Sequence, residues 1–133
     1  PTGFHLATGG DDNTVKIWDL RKRQNVSTIL AHTKLVSDIK FDHSSNLMFT
    51  SSYDNKCKIW GSKSVICGIN SAEEWVALRT LAGHENKQTS VCHTRDLKYI
   101  ITTSFDKTFK GGGKIINNQR FELNIENWGF GVL

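Results

Sequence analysis

The sequence predicts an all-β protein built from about three copies of one supersecondary unit, the first and the last incomplete. Three observations carry this. The stretch Thr8 to Asp19, TGGDDNTVKIWD, is rewritten at Thr50 to Trp60 and again from Thr102, with Asp12, Asp54 and Asp106 in register and a threonine four residues before each. Asp12 and Asp54 stand 42 residues apart, within the roughly 40 to 45 residues that one four-stranded repeat takes. Between these marks, short runs rich in Val, Ile, Phe and Thr alternate with Asp, Asn, Gly and Ser clusters, the pattern of strands joined by tight turns.

The elements follow in order. Each unit reads as Ala/Gly-His, a strand, a polar turn, a second strand, an Asp turn and a third strand. The first two strands are Val36 to Phe41 and Leu47 to Ser51 in one copy, and Thr89 to Cys92 and Tyr99 to Thr103 in the next. Asn25 to Leu30 and Trp75 to Leu81 supply outer fourth strands that lead into Ala31-His32 and Gly83-His84. Asp54 and Asp106 are 52 residues apart, ten more than the first pair. The surplus is an insertion within Gly61 to Glu74, because Trp18 to His32 is 14 residues and Trp60 to His84 is 24. Downstream the count recovers: His32 to Asp54 and His84 to Asp106 are both 22. The organisation is therefore a repeat region over residues 1–110, in units of about 1–19, 20–60 and 61–110, followed by an atypical tail over 111–133.

The tail opens with a departure. Lys110 aligns with Lys16 and Lys58, but Gly111-Gly112-Gly113 then replaces Ile-Trp-Asp, so the pattern breaks inside a strand. From Phe121 the run Phe-Glu-Leu-Asn-Ile-Glu alternates as a half-exposed strand would. The glycines are not a phosphate cradle, since Gly-x-x-x-x-Gly-Lys-Ser/Thr is absent and no helix is signalled after them.

Composition narrows the class further. At 133 residues, 38% hydrophobic and 23% charged, the chain has the balance of one globular domain rather than of a disordered or membrane-spanning segment. With no leader-like opening, an intracellular protein is expected. Cys57, Cys67 and Cys92 form no Cys-x-x-Cys pair, so neither a disulfide framework nor a zinc site is written here. The net charge of +4 permits a nucleic-acid partner, but only Arg21-Lys22-Arg23 is clustered. Asn25-Val26-Ser27 is a chance match to a glycosylation sequon.

His32, Thr50 and Asp54 have the composition of a base, a nucleophile and an orienting acid. They recur, however, as Thr8, Asp12 and Trp18, as His32, Thr50, Asp54 and Trp60, and as His84, Thr102 and Asp106. A single active site needs no copy in every repeat, whereas a repeated building block needs the same brace each time. Neither an oxyanion-hole motif nor metal-ligand spacing accompanies them. No catalytic residue, cofactor or metal is expected.

These repeats resemble WD repeats, and the resemblance implies a partial WD-repeat β-propeller. The phrases ATGGDDNTVKIWDLRKR, ILAH, YDNKCKIW, LRTLAGHE and SFDKTFK look like the last blades of the WD-repeat subunit of the U-four/U-six small nuclear ribonucleoprotein, the splicing-factor Prp-four family. The likeness covers about residues 4–60 and 75–110. In that family the Trp, Thr, His and Asp positions form a structural tetrad, in which a buried indole N–H, a hydroxyl, an imidazole and a carboxylate satisfy one another. The third set has Gly112 where the tryptophan is expected.

Three units cannot close a ring of four to eight blades, so further blades, a partner or self-association should cover the open arc. The resemblance implies a nuclear, non-catalytic scaffold of the spliceosomal tri-snRNP that holds other splicing proteins and, through them, small nuclear RNA. Another WD adaptor for substrate recognition or signalling is the alternative, and a direct RNA binder using Arg21, Lys22 and Arg23 is a further one. Asp11, Tyr53 and Phe105 each precede the tetrad Asp in a turn. Their changing chemistry suits partner contacts, since aromatic residues are favoured anchors.

Overall fold

The computed structural model describes residues 3–62 and 74–113, together with the backbone of 128–132. The described residues contain strands and turns and no helix. The strands are β1 (His5–Gly9), β2 (Thr14–Asp19), β3 (Gln24–Leu30), β4 (Val36–Phe41), β5 (Leu47–Ser52), β6 (Lys56–Ser62), β7 (Trp75–Ala82), β8 (Gln88–His93), β9 (Tyr99–Ser104), β10 (Thr108–Gly113) and β11 (Trp128–Val132). They form three antiparallel sheets in the orders β1-β2-β3, β4-β5-β6-β7 and β8-β9-β10-β11, every neighbour in space a neighbour in sequence. This is a partial WD-repeat propeller. The expected outer strands Asn25–Leu30 and Trp75–Leu81 fall on β3 and β7, at the outside of the first and second blades. The proposed insertion and Cys67 lie mostly or wholly outside the described residues, as does the alternating run from Phe121.

Period-two alternation sets what each face buries. In β2, Val15 and Ile17 turn toward the second blade, where they join Val36, Met48 and Trp60 in one buried cluster. Cys57 and Ile59 of β6 turn the other way and join Leu47 and Phe49 of the same blade with Val91 and Ile100 of the third. The middle blade is covered on both sides, and every residue of its central strand β5 is accordingly buried. Fully burying side chains such as Phe49 or Met48 contributes about 1.5–3 kcal/mol each. Gly9 is required where the first two blades meet, because a Cβ there would lie 2.7 Å from Cγ1 of Val36.

The turns repeat as closely as the strands. Asn13, Asn55 and Lys107 each follow the tetrad Asp, each has a positive φ (64°, 67° and 64°), and each donates its N–H at 3.2 Å to the carbonyl three residues earlier, of Gly10, Ser52 and Ser104. Asn tolerates that left-handed conformation readily and Lys less so, so the third turn carries a small local strain.

β10 runs without interruption through Gly111, Gly112 and Gly113, which pair with Ile101, Ile100 and Tyr99 of β9. A ladder is made by backbone groups, which glycine keeps; what the run loses is the side chain. β11 then pairs with β10 as the outer strand of the third blade.

Candidate functional site

The middle unit joins its four predicted residues into one buried circuit. His32 Nδ1 is 2.9 Å from Asp54 Oδ2, and its Nε2 is 2.7 Å from Thr50 Oγ1. Trp60 Nε1–H donates to the same hydroxyl at 3.0 Å. With Nδ1–H donated to the carboxylate, Nε2 is the bare acceptor, the threonine O–H donates to it, and the threonine oxygen accepts from the indole. Every donor has one acceptor, as buried polar groups require. Burial pushes the His32 pKa down despite the neighbouring carboxylate. Burial alone would raise that of Asp54, but the His32 N–H and the backbone N–H groups of Thr33 and Lys56 hold it below its ordinary value.

In the third unit, His84 Nδ1 is 2.8 Å from Asp106 Oδ2 and Nε2 is 2.9 Å from Thr102 Oγ1. The indole donor is replaced by glycine: a Cβ on Gly112 would meet no atom within 4 Å. Thr102 Oγ1 lies instead at 3.3 Å from the Lys110 carbonyl, a weak second use of its one proton. In the first unit, Trp18 Nε1–H donates to Thr8 Oγ1 at 3.0 Å. Asp12 has no imidazole; its carboxylate takes the hydroxyl and N–H of Thr14 and the ammonium of Lys16 at 3.0 Å, which lower its pKa to about 2. Trp18 is only half-buried, which departs from the buried indole the resemblance implies. It alternates with Val15 and Ile17 and so points away from the second blade, where no described sheet covers it.

Sequence reading missed the part played by the aligned lysines. Lys58 Nζ donates at 2.6 Å to the carbonyl of Ala31, the residue before His32, and Lys110 makes the same bond to Gly83 before His84. Each ties the strand-to-strand connection that presents the imidazole. Their recurrence two residues before the Trp position was the available signal. A polar seam between the second and third blades had no such signal. Asp38 Oδ2 accepts from Ser90 Oγ at 2.6 Å and Val91 N–H at 3.2 Å, Ser37 Oγ donates to the Gln88 carbonyl at 2.8 Å, and His93 Nε2 is 3.1 Å from the Phe41 carbonyl.

Asp11, Tyr53 and Phe105 occupy the same position in the three Asp turns. The structure brings the last two together, with ring centroids 6.2 Å apart and planes at 80°. Asp11 is exposed on the first blade. Among the described residues, no group of three or more His, Cys, Asp or Glu side chains is arranged to hold a metal.

The geometry defines a repeat scaffold, and comparison with known proteins places it. The WD domain, G-beta repeat family matches residues 1–19, 23–61 and 75–110. The chain belongs to this family. It is similar to protein HIRA of Dictyostelium discoideum, 33% identical over 122 residues that cover 81% of this chain and 11% of HIRA. Pre-mRNA-processing factor 19 homolog 2 of Arabidopsis thaliana is 30% identical over 107 residues, covering 78% of this chain and 18% of that protein. Mitochondrial division protein 1 of Candida glabrata is 30% identical over 125 residues, covering 90% and 17%. The chain thus spans between about a tenth and a fifth of these relatives' length, and their names cover different cellular tasks. WD repeats mediate protein–protein interaction, and the family is in general one of non-catalytic scaffolds.

Proposed function

We propose that this chain is part of a non-catalytic propeller that holds proteins together, within a nuclear splicing assembly of the tri-snRNP kind. The observation that carries the scaffold reading is the closed His32–Thr50–Asp54–Trp60 circuit. Its imidazole and hydroxyl face each other and are buried, so neither is presented to a substrate. The chemistry that remains for function lies on the turns. Repeated, rigid turns with variable side chains suit partner recognition.

The splicing assignment rests on the likeness of the quoted phrases to the Prp-four family, and a pre-mRNA-processing factor among the similar proteins supports it. Partners are other tri-snRNP proteins, with small nuclear RNA held through them. The tagged chain incubated with nuclear extract should recover tri-snRNP proteins, and less of them after Tyr53→Ala. Recovery of a ubiquitin-ligase or membrane-signalling assembly in their place would overturn the splicing assignment and favour another WD adaptor.

A further inference from the structure

The Asp turns of the second and third blades form one continuous surface. Gln88 Nε2 donates to the Asn55 carbonyl at 3.0 Å and so links the third blade to the β5–β6 turn. The Tyr53 N–H is held by the Leu35 carbonyl and the Phe105 N–H by the Lys87 carbonyl, both at 3.0 Å. These bonds fix both turns before any partner arrives, which lowers the ordering cost of binding. On this base the Phe105 ring meets Tyr53 edge to face and remains 55% exposed, while Lys87 Nζ lies 5.0 Å above the Tyr53 ring.

The exposed charged side chains on these turns and on the stretches leading into β4 and β8 are mostly basic. Lys34, Lys56, Lys87 and Lys107 are all exposed, and among the described residues none of them is ion-paired with a carboxylate. The acids on the same turns are accounted for differently. Asp54 and Asp106 face inward to His32 and His84, and Glu85 is the one outward carboxylate on these stretches. The first blade presents the carboxylates of Asp11 and Asp12 at the equivalent turn, both exposed.

We infer that the Tyr53–Phe105–Lys87 surface docks an acidic peptide segment of a protein partner, one that carries an apolar side chain among carboxylates. The apolar side chain covers Phe105 and the Tyr53 edge, and the carboxylates meet the four lysines. The aromatic pair favours a peptide over RNA. Two perpendicular rings, one already capped by an ammonium, do not offer the successive open faces on which bases stack. This inference rests on the protein-docking reading above and adds the chemistry of the partner.

The test is fluorescence anisotropy of the intact chain with a short fluorescein-labelled peptide of glutamates around a central Leu-Phe pair. Saturable binding is expected, weakened about tenfold or more by Phe105→Ser and by Lys87→Glu, as for a central anchor of an interface. A lysine peptide with the same Leu-Phe pair should not bind. Circular dichroism checks that the variants fold; Lys34→Glu with Lys107→Glu, at exposed positions outside the ring contact, provides an independent pair that should also weaken binding. Absence of saturable binding, wild-type affinity in these variants, or an oligouridine RNA that binds the patch in preference to the peptide would each overturn the inference. If the peptide fails while nuclear extract still yields tri-snRNP proteins, this inference falls and the splicing reading stands. If the peptide binds and extract yields a different assembly, the reverse holds.

Discussion

Replacing Trp60 by alanine separates the two contributions that its position combines. The indole is 5% exposed within the cluster of Val15, Ile17, Ala31, Val36 and Met48, and its N–H is a donor to the fully buried Thr50 hydroxyl. Truncating a large buried aromatic costs about 3–5 kcal/mol, part of which is the acceptor left unsatisfied on Thr50. Trp18 supplies the control. It makes the same bond at the same 3.0 Å to Thr8 but is less buried than Trp60, so Trp18→Ala should cost measurably less, in proportion to apolar area removed from water. The assay is urea unfolding followed by circular dichroism, with the midpoint shift read at constant slope. A cost below about 1 kcal/mol for Trp60→Ala would refute the buried brace. Equal costs for the two variants would show that the hydrogen bond, and not burial between blades, sets the energy.

Three further outcomes follow from the same geometry. Because burial depresses the pKa of His32 and that of Asp54 is also lowered in the folded state, the unfolded chain binds more protons below the ordinary histidine value of 6.5. The contribution of His32 is therefore complete above that pH and lost as pH falls, with Asp54 adding a further loss in the acid range; urea midpoints between pH 8 and 5 should decline, and a flat profile would contradict the assignment. Gly112→Trp should slow amide exchange over Tyr99–Lys110, since the new side chain has room at its Cβ and an N–H to offer Thr102; unchanged exchange would mean that the indole does not reach that hydroxyl. Asp38→Ala should destabilise by about 1–3 kcal/mol by orphaning Ser90 Oγ and Val91 N–H, and a loss within about 0.5 kcal/mol would show that the seam is replaced by water.

Much of this protein was legible before folding was considered. A blade is a local object, so its strands, its Asp turns and the spacing from histidine to aspartate are written in consecutive residues, and Asp12, Asp54 and Asp106 announce them by recurrence. The residues expected for the tetrad stand at recurring positions for the same reason, and the replacement of the third indole by Gly112 could be read by alignment alone. What the tertiary structure decided is how the units meet. That Trp18 is half-covered and Trp60 buried depends on which sheet lies opposite, although both occupy the same motif. That Asp38 reaches Ser90, that Lys87 sits over Tyr53, and that Tyr53 and Phe105 form one surface are consequences of packing between blades. These contacts join residues about fifty positions apart or loops of different units, and no period in the sequence encodes the distance between two side chains across a blade interface.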